Sequence, residues 1–324
     1  MEPTNPHHFD VIVKEPLVRG PLALYPLFTL APAAPAYLTG PEADRLGVLR
    51  VAEKPGGATV PELTVHNTGA LPLLLLEGET LVGAKQNRTL DASVLVPAGA
   101  AADIAVSCVE AGRWGAPRAS TRSLRHAPAD LRRVKTATLA REQLRASKQA
   151  AVWSRIARYE QELGAASPTS AMEDVAESRT ADVSSLVASS RPLPNQCGVA
   201  VAIGATVRGF DCFDKPSTLA VYWDSLVAGY ALDAVGAPTD ADAPAPGVVE
   251  ALAAAAATAP RASGAPAGLG DSATFAGDVI VGTELRWFDA YVHVSAFVDE
   301  TVRSSDPAGS RARPVRPIRP RWSR

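Results

Sequence analysis

The sequence predicts an α+β protein: an antiparallel β-sandwich or cupin-like barrel, with helices inserted between two strand-rich parts. Residues 9–110 and 198–297 contain many short alternating or apolar runs separated by tight turns, a pattern typical of antiparallel strands. Residues 131–188 and 216–258 carry apolar side chains at helical spacing. A Val-Pro-Ala-Gly turn at 96–99 favours a jelly roll, although the histidines of a cupin metal site are absent.

The first third of the chain predicts short strands joined by turns. Runs at 9–14 and 22–30 read as strands, and Pro26 should restrict the second to an edge or a bulge because proline lacks an N–H. Thr39-Gly40-Pro41-Glu42 predicts a helix start, with a polar cap and proline in the first turn. Further strands are predicted at 48–53 and 60–66, around a Lys-Pro-Gly-Gly turn at 54–57.

The remaining elements follow from periodicity. Residues 131–163 predict one long helix, followed by a second helical region that begins at 167–169 and runs through 175–187. Gly204-Ala205 predicts a two-residue hairpin turn between strands at 198–203 and 207–213. Helices at 218–234 and 248–257 come next, the first with a buried aromatic stripe, and the last strands are expected at 275–281, 284–288 and 290–297.

Length and composition bound the organisation of the chain. With 324 residues, 47% of them hydrophobic and 20% charged, the chain has globular proportions and can bury a sizeable core. We expect a single α+β domain over residues 1–302. Residues 303–324 are rich in arginine and proline without apolar periodicity, which predicts a disordered tail.

Charge and cysteine usage predict a cytoplasmic protein. The formal net charge of -2 and the pI near 6.2 argue against a dedicated nucleic-acid binder. Three cysteines without paired metal-ligand spacing suit a reducing compartment. The start MEPTNPHHFD lacks a signal-peptide pattern, and the apolar run at 71–76 is far shorter than the ~20 residues of a membrane span. Abundant alanine and an excess of arginine over lysine indicate a GC-rich bacterial source.

The segment Leu73 to Trp114 concentrates unlike polar groups among strand-like runs. A two-residue turn at Gly83-Ala84 would pair Glu79 with Arg88 across a hairpin. Because side chains alternate along a strand, Glu77, Glu79, Gln86 and Arg88 would then project on one side.

Glu77 and Glu79 are the first candidates for general acid/base chemistry. Two neighbouring carboxylates repel each other, which raises the proton affinity of one of them. Arg88 opposite Glu79 would keep that residue ionised. A purely structural Glu79–Arg88 pair remains the alternative.

Cys108 and Glu110 complete the catalytic candidates. Cys108 could be a nucleophile if Arg113 lowers its pKa, although a buried free cysteine ordinarily behaves as a small hydrophobe. A metal would need Glu77, Glu79 or Glu110 together with a histidine brought in by the fold. The sequence has no paired metal-ligand spacing, so no metal or other cofactor is assigned.

A second set of residues predicts a pocket for a small anionic ligand. The guanidinium groups of Arg88 and Arg113 can bind phosphate or carboxylate in bidentate fashion, and the amides of Gln86 and Asn87 can read sugar hydroxyls. Trp114 could stack on a base or ribose. No P-loop or dinucleotide-binding glycine pattern is present.

These residues lie in segments that resemble a known family. LEGETLVGAKQNR and CVEAGRW, followed by QAAVW at 149–153 and GVAV at 198–201, resemble a prokaryotic domain family of unknown function. The family is named for its association with ADP-ribosylglycohydrolase (ARG) and rhodanese-phosphatase superfamily proteins. The resemblance runs from about Val11 to about Phe297. It implies a context of ADP-ribose or nucleotide chemistry, and these signature positions: Glu77, Glu79, Gln86, Arg88, Cys108, Glu110, Arg113 and Trp114.

A basic block follows this segment. Residues 113–158 contain ten arginines and two lysines, opposed only by Asp130 and Glu142. Such a block could attract a phosphate-bearing ligand or RNA. The alternative is a solvated helix face whose charge is matched by acidic patches elsewhere. No RNA- or DNA-binding sequence pattern accompanies the block.

Three hypotheses about function follow. The first is a nucleotide- or ADP-ribose-related enzyme, which requires Glu77 or Glu79 in an open cleft. The second is a ligand-sensing domain with the same pocket and no catalysis. The third is a scaffold or interaction domain whose signature residues are paired and covered, with protein partners that the sequence does not identify.

Overall fold

The computed structural model describes residues 10–53, 62–113, 118–141, 145–264 and 267–299, and it shows an α+β protein. Its strands are β1 Ile12–Val13, β2 Leu17–Arg19, β3 Leu22–Phe28, β4 Leu38–Thr39, β5 Leu49–Ala52, β6 Glu62–Asn67, β7 Leu73–Leu75, β8 Glu79–Ala84, β9 Arg88–Leu90, β10 Val94–Val96, β11 Ala101–Cys108, β12 Arg118–His126, β13 Gly198–Ile203, β14 Thr206–Phe213, β15 Arg261–Ser263, β16 Asp271–Ala276, β17 Ile280–Trp287 and β18 Ala290–Val298. Its helices are α1 Gly40–Arg45, α2 Ala129–Ala140, α3 Arg145–Glu162, α4 Met172–Ser178, α5 Thr180–Val187, α6 Pro216–Leu232 and α7 Pro246–Thr258.

Three sheets organise these strands, and nearly all pairings are antiparallel. The largest runs β1-β3-β13-β14-β18-β17-β16-β15, with β2 also paired to β3. The second runs β12-β8-β9-β11-β6-β5, and the third is β10-β7-β4, in which β4 and β7 are parallel. Helices α2 to α5 lie between β12 and β13 in the chain, so the predicted insertion of helices between two strand-rich parts is confirmed.

The nine-stranded sheet is covered on both faces. Along β13, Val199 and Val201 pack with α6 and α2, whereas Ala200 and Ala202 pack with α7. This alternation is the expected consequence of strand geometry. A separate apolar cluster fills the space between the two smaller sheets. Apolar side chains of α3 and α4 belong to another cluster.

Two local predictions are confirmed in detail. Thr39 caps α1 in a capping box, since its hydroxyl accepts from the Glu42 backbone N–H and the Glu42 carboxylate accepts from the Thr39 N–H at 2.9 Å. The hairpin between β13 and β14 has the predicted two-residue turn, because Ile203 pairs with Thr206. Gly204 supplies the positive φ of 55° that this turn requires.

The prediction that Pro26 confines its strand to an edge or a bulge is wrong. β3 is an interior strand, paired with β13 on one side and with both β1 and β2 on the other. β2 pairs with residues 22–24 and β1 with residues 27–28, so Pro26 falls in the gap between those two short strands. The missing N–H therefore costs no ladder hydrogen bond there.

The long helix predicted at 131–163 is instead two helices, α2 and α3, which pack against each other. Of the apolar residues at helical spacing that predicted the long helix, Val152, Ile156 and Tyr159 are buried in α3, whereas Val134 and Leu139 of α2 are only half-buried.

The predicted two-residue turn at Gly83-Ala84 is also wrong. β8 continues to Ala84, and Leu81 rather than Glu79 lies opposite Arg88. The connecting loop is longer because the Asn87 side chain accepts a hydrogen bond from the Gly83 N–H at 3.2 Å, closing the loop from within. The predicted Glu79–Arg88 pair is consequently not formed.

The basic block is matched by carboxylates from distant parts of the chain. Several of its cations are buried, notably Arg132, Lys135 and Lys148. Its ion pairs with carboxylates far away in sequence include Arg122–Glu79, Arg125–Glu173, Arg132–Glu77, Arg132–Asp211, Arg133–Asp299, Lys135–Glu77, Arg141–Asp299 and Lys148–Asp91. Much of the block is thus internal structure rather than a solvated face.

Several predicted features lie outside the described residues: the tail 303–324, the turn at 54–57 and Trp114. Among the helices that the structure does describe, none combines the length and apolar character needed to cross a membrane.

Candidate functional site

A buried ionic network surrounds Arg132 of α2. Its Nε lies 2.7 Å from Glu77 Oε2, and its two terminal nitrogens bind both oxygens of Asp211, at 3.0 and 2.6 Å. One turn along α2, the Lys135 ammonium lies 2.6 Å from Glu77 Oε1. The Tyr230 hydroxyl donates to Asp211 Oδ2 at 2.7 Å. All five side chains are almost completely inaccessible to solvent.

The network fixes the protonation states of its carboxyl groups. Burial alone would raise the pKa of Glu77, but the nearby charges of Arg132 and Lys135 outweigh it and hold that pKa below its usual value. Burial likewise opposes ionisation of Asp211, yet Arg132 and His293 lower its pKa far below the ordinary range. Both groups are therefore carboxylates at neutral pH.

Asp211 also orients a histidine that reaches a serine. His293 Nε2 lies 3.1 Å from Asp211 Oδ1, and His293 Nδ1 lies 2.7 Å from Ser93 Oγ. The Phe213 ring stacks on the imidazole with centroids 4.7 Å apart. The backbone N–H of Glu77 donates to the same Ser93 Oγ at 2.9 Å. Serine, imidazole and carboxylate thus form one continuous chain of hydrogen bonds.

Gly78, the middle residue of the Glu-Gly-Glu sequence, makes this arrangement sterically feasible. It has a φ of 87°, and a β-carbon at this position would lie 2.5 Å from His126 Nε2 and 2.8 Å from Arg132 Nε. Its carbonyl accepts from the Ala127 N–H at 2.9 Å. Glu77 and Gly78 form a turn between β7 and β8 rather than part of a strand. The two glutamates therefore do not share a strand face as predicted.

Glu79 is bound to other partners. Its Oε2 accepts from Arg122 Nε at 2.7 Å, and its Oε1 accepts from the Leu76 N–H at 2.9 Å. Only 2% of the residue is exposed. Neither glutamate proposed as an acid/base thus lies at a solvent-accessible surface.

Gln86, Arg88 and Cys108 form a second buried cluster. Arg88 Nη1 donates to Gln86 Oε1 and contacts Cys108 Sγ, both at 2.9 Å. Among the described residues, Arg88 Nε and Nη2 have no hydrogen-bond partner. Burial raises the pKa of the Cys108 thiol despite the neighbouring Arg88. The thiol is therefore protonated at neutral pH, which reduces its nucleophilicity.

Asn87, Glu110 and Arg113 form a third cluster. Arg113 binds the Glu110 carboxylate through Nε at 2.8 Å and Nη2 at 2.7 Å, and Nη2 also donates to Asn87 Oδ1 at 3.1 Å. The Glu110 carboxylate further accepts from the Asn87 N–H at 3.0 Å. Burial opposes ionisation of Glu110, but these donors lower its pKa overall. The structure thus distributes the predicted site residues over separate clusters.

An open cleft of about 410 Å³ lies beside these clusters. Its chemically active lining consists of the carboxylates Glu62, Asp91 and Asp103, the Lys148 ammonium, and the hydroxyls of Ser93, Ser272 and Thr274. Val94, Leu95, Leu139, Leu269 and Leu285 give it an apolar side. We call it the Ser93 cleft. Of the predicted site residues that the structure describes, none lines it.

Sequence reasoning missed Ser93, Asp211 and His293 as a group. Ser93 and His293 are 200 positions apart, and Asp211 and His293 are 82 apart, so no local spacing connects them. Arg132 and Lys135 did carry a signal. They stand three positions apart on a helix and so share one face, but the sequence does not show that this face is buried.

Within the described ranges, no group of three or more His, Cys, Asp or Glu side chains is arranged to hold a metal ion.

The comparisons with known proteins give one match. A family model described as "ARG and Rhodanese-Phosphatase-superfamily-associated Protein domain" matches residues 10–297. Neither the curated proteins nor the solved structures contain a significant match.

We predict that Gly78→Ala destabilises the protein by about 2–5 kcal/mol, because the methyl group would clash with His126 and Arg132 and the positive φ would be strained. Urea unfolding measures the change. Gly99→Ala is the matched control, since Gly99 also has a positive φ, of 64°, with nothing within 4 Å of the added methyl. Equal losses in the two variants would show that close packing at Gly78 is unimportant.

We predict that His126 makes stability fall as the pH drops below about 6.5. Burial, reinforced by the charge of Arg132, lowers the pKa of His126 to about 3, whereas an unfolded histidine has a pKa of about 6.5. The unfolded state therefore binds more protons in this window, and up to about 2 kcal/mol is lost between pH 6.5 and 5.

The matching experiment compares urea unfolding of the wild type and His126→Gln at pH 7 and pH 5. Glutamine can keep the hydrogen bond that His126 Nε2 makes to the Glu77 carbonyl at 2.8 Å, but it does not titrate. The variant should lose less stability than the wild type over this interval. Parallel losses would contradict the assignment of the titration to His126.

Proposed function

We propose that this chain, which belongs to the ARG and Rhodanese-Phosphatase-superfamily-associated Protein domain family, binds a small ligand in the Ser93 cleft. The ligand carries several hydroxyl groups and an anionic group. Nucleotides and ADP-ribose are the specific candidates. In this proposal the signature residues hold the walls of the cleft in place instead of contacting the ligand.

The proposal is supported by the hydrogen bonds and ion pairs that hold one wall of the Ser93 cleft, residues 90–93, in place. Residues 90–93 run from β9 to the cleft, and three of these four residues are held by hydrogen bonds or ion pairs with buried groups. The Leu90 carbonyl accepts from Gly78 N–H at 3.1 Å and from the Lys135 ammonium. Asp91 binds Lys148 and accepts from Ser107 Oγ at 2.7 Å. Ser93 is held by the Glu77 N–H and by His293.

The lining of the cleft supports a hydroxyl-rich ligand. Carboxylates such as Glu62 and Asp91 can accept hydrogen bonds from the hydroxyl groups of a sugar. Lys148 is the cation that the described lining offers to a phosphate. The leucine side chains give the apolar surface on which a base or a sugar face can rest. A volume of about 410 Å³ accommodates part or all of a nucleotide.

A second location for an anion is supported by one observation. Arg88 is completely buried, and two of its three guanidinium nitrogens have no partner among the described residues. Burying a cation without a matching carboxylate is costly, so a bound anion at this position would be strongly stabilised. This location would give Gln86 and Arg88 the ligand-binding role that the sequence predicts for them.

A thermal-shift screen distinguishes the two locations. The wild type is screened against ADP-ribose, AMP, ribose 5-phosphate, ribose and inorganic phosphate. A ligand present at a hundred times its Kd should stabilise the protein by about 2.7 kcal/mol, which is easily measured as a rise in Tm. We expect ribose-bearing phosphates to raise Tm more than inorganic phosphate does.

Three variants locate the ligand. Ala105→Trp fills the cleft from β11 and should abolish the shift, whereas Ala101→Trp, on the same strand and away from the cleft lining, should leave it unchanged. A shift that is lost instead in Arg88→Gln would place the ligand at Arg88. If none of the five compounds raises Tm, the ligand proposal is wrong and the hypothesis of a scaffold or interaction domain is favoured.

A further inference from the structure

We propose that Ser93 is a nucleophile, which would make this protein a hydrolase for carboxylic esters of hydroxyl-rich molecules. The inference rests on the proposed function in one respect: the ester occupies the Ser93 cleft. It is carried by the chain of hydrogen bonds from Ser93 through His293 to Asp211 and by the position of Ser93 in the cleft lining.

The hydrogen bonds determine where each proton lies. Asp211 is ionised, so its Oδ1 can only accept, and His293 Nε2 must carry the proton that it shares with Asp211. A neutral imidazole with a proton on Nε2 has an acceptor at Nδ1. When the imidazole is neutral, its Nδ1 can only accept, so the Ser93 hydroxyl donates to His293 Nδ1 while the serine oxygen accepts from the Glu77 N–H. This is the protonation pattern that a serine nucleophile with a general base requires.

The surroundings hold the relay in this geometry. Asp211 is fixed by two bonds from Arg132 and one from Tyr230. The imidazole is stacked on Phe213. Such support is typical of a histidine that must keep one tautomer and one orientation during catalysis.

The reaction balances with water as the only co-reactant. Ser93 Oγ attacks the ester carbonyl carbon, and its proton passes to His293 Nδ1 as the new C–O bond forms. The bond from the carbonyl carbon to the alcohol oxygen breaks, and the leaving alcohol takes the proton from His293. Water, deprotonated by the same nitrogen, then attacks the acyl-serine. The carboxylic acid leaves, and the proton returns to Ser93 Oγ.

The carboxylates, the hydroxyls and the leucine side chains of the cleft indicate the substrate class. Acceptors such as Glu62 and Asp91 suit the free hydroxyls of a sugar, and the leucines of the cleft suit the acyl chain or the sugar face. An O-acylated sugar or nucleoside is therefore the expected substrate. Its deacylated product is the hydroxyl-rich ligand of the proposed function.

A fluorophosphonate probe tests the nucleophile without knowledge of the substrate. The serine oxygen displaces fluoride from phosphorus, the serine proton goes to the histidine, and the stable adduct is detected by intact-mass spectrometry. We expect one adduct per chain, located at Ser93 by peptide mapping. Ser93→Ala should abolish labelling, and His293→Gln should slow it roughly 100-fold.

Ser123→Ala is the matched control. Ser123 is also largely buried and bonded to an acidic side chain, Glu173, but it does not line the cleft. This variant should label like the wild type. Absence of labelling in the folded wild type, or labelling at another serine, would overturn the proposal. Should His293→Gln fail to fold, the wild type and Ser93→Ala still decide the outcome.

The same preparations separate this inference from the proposed function. A rise in Tm with ribose-bearing ligands but no adduct at Ser93 would leave a binding domain and overturn the nucleophile. An adduct at Ser93 with no thermal shift would support the nucleophile and overturn the proposed ligand. Protection of Ser93 from the probe by ADP-ribose or AMP would support both.

Discussion

A bidentate contact of Arg132 with Asp211, extended to Glu77, links the strand-rich parts of the protein to the helix α2. Asp211 belongs to the nine-stranded sheet, and Glu77 belongs to the turn that connects the two smaller sheets. Arg132 belongs to α2, which lies between these two residues in the chain. The three residues are 1% exposed or less. Leaving one of these charges without its partner costs about 3–5 kcal/mol, so the network strongly specifies how the strand-rich parts pack.

The signature sequence can be understood from this contact outward. Glu77 binds Arg132 and Lys135, Gly78 leaves room for Arg132 and His126, and Glu79 binds Arg122. The same turn donates its backbone N–H groups to Leu90 and Ser93. The segment with the two glutamates, which the sequence suggests as catalytic carboxylates, thus helps to hold the wall of the Ser93 cleft. The proposed nucleophile, Ser93, accepts a hydrogen bond from the Glu77 N–H.

Local sequence signals predicted much of the fold and little of the site. The α+β class, the Thr39 cap and the Gly204 turn depend on residues close in sequence, and all three are confirmed. The hairpin before Arg88 was mispredicted because a side chain, Asn87, closes the loop by hydrogen bonding to Gly83. Spacing rules for turns describe backbone geometry and do not include such a contact.

The basic block shows that local sequence also fails to predict which charged residues pair with each other. Its composition indicates an excess of cations, but the partners of Arg132 and Lys148 lie 79 and 57 positions away. Burial of these pairs depends on the packing of α2 and α3 against the sheets, which no local pattern encodes. The relay from Ser93 to Asp211 depends on the same packing, since Asp211 and His293 lie on the neighbouring strands β14 and β18, whereas Ser93 precedes β10 of a different sheet.

Arg132 and Glu77 stabilise the protein as one coupled unit, and a double-mutant cycle measures that coupling. Urea unfolding of the wild type, Glu77→Gln, Arg132→Gln and the double variant gives the coupling free energy. We predict that each single variant loses about 3 kcal/mol or more, and that the double variant loses far less than the sum, with a coupling of roughly 2–3 kcal/mol. Additive losses would show that the two residues act independently and would contradict a coupled Arg132–Glu77 unit.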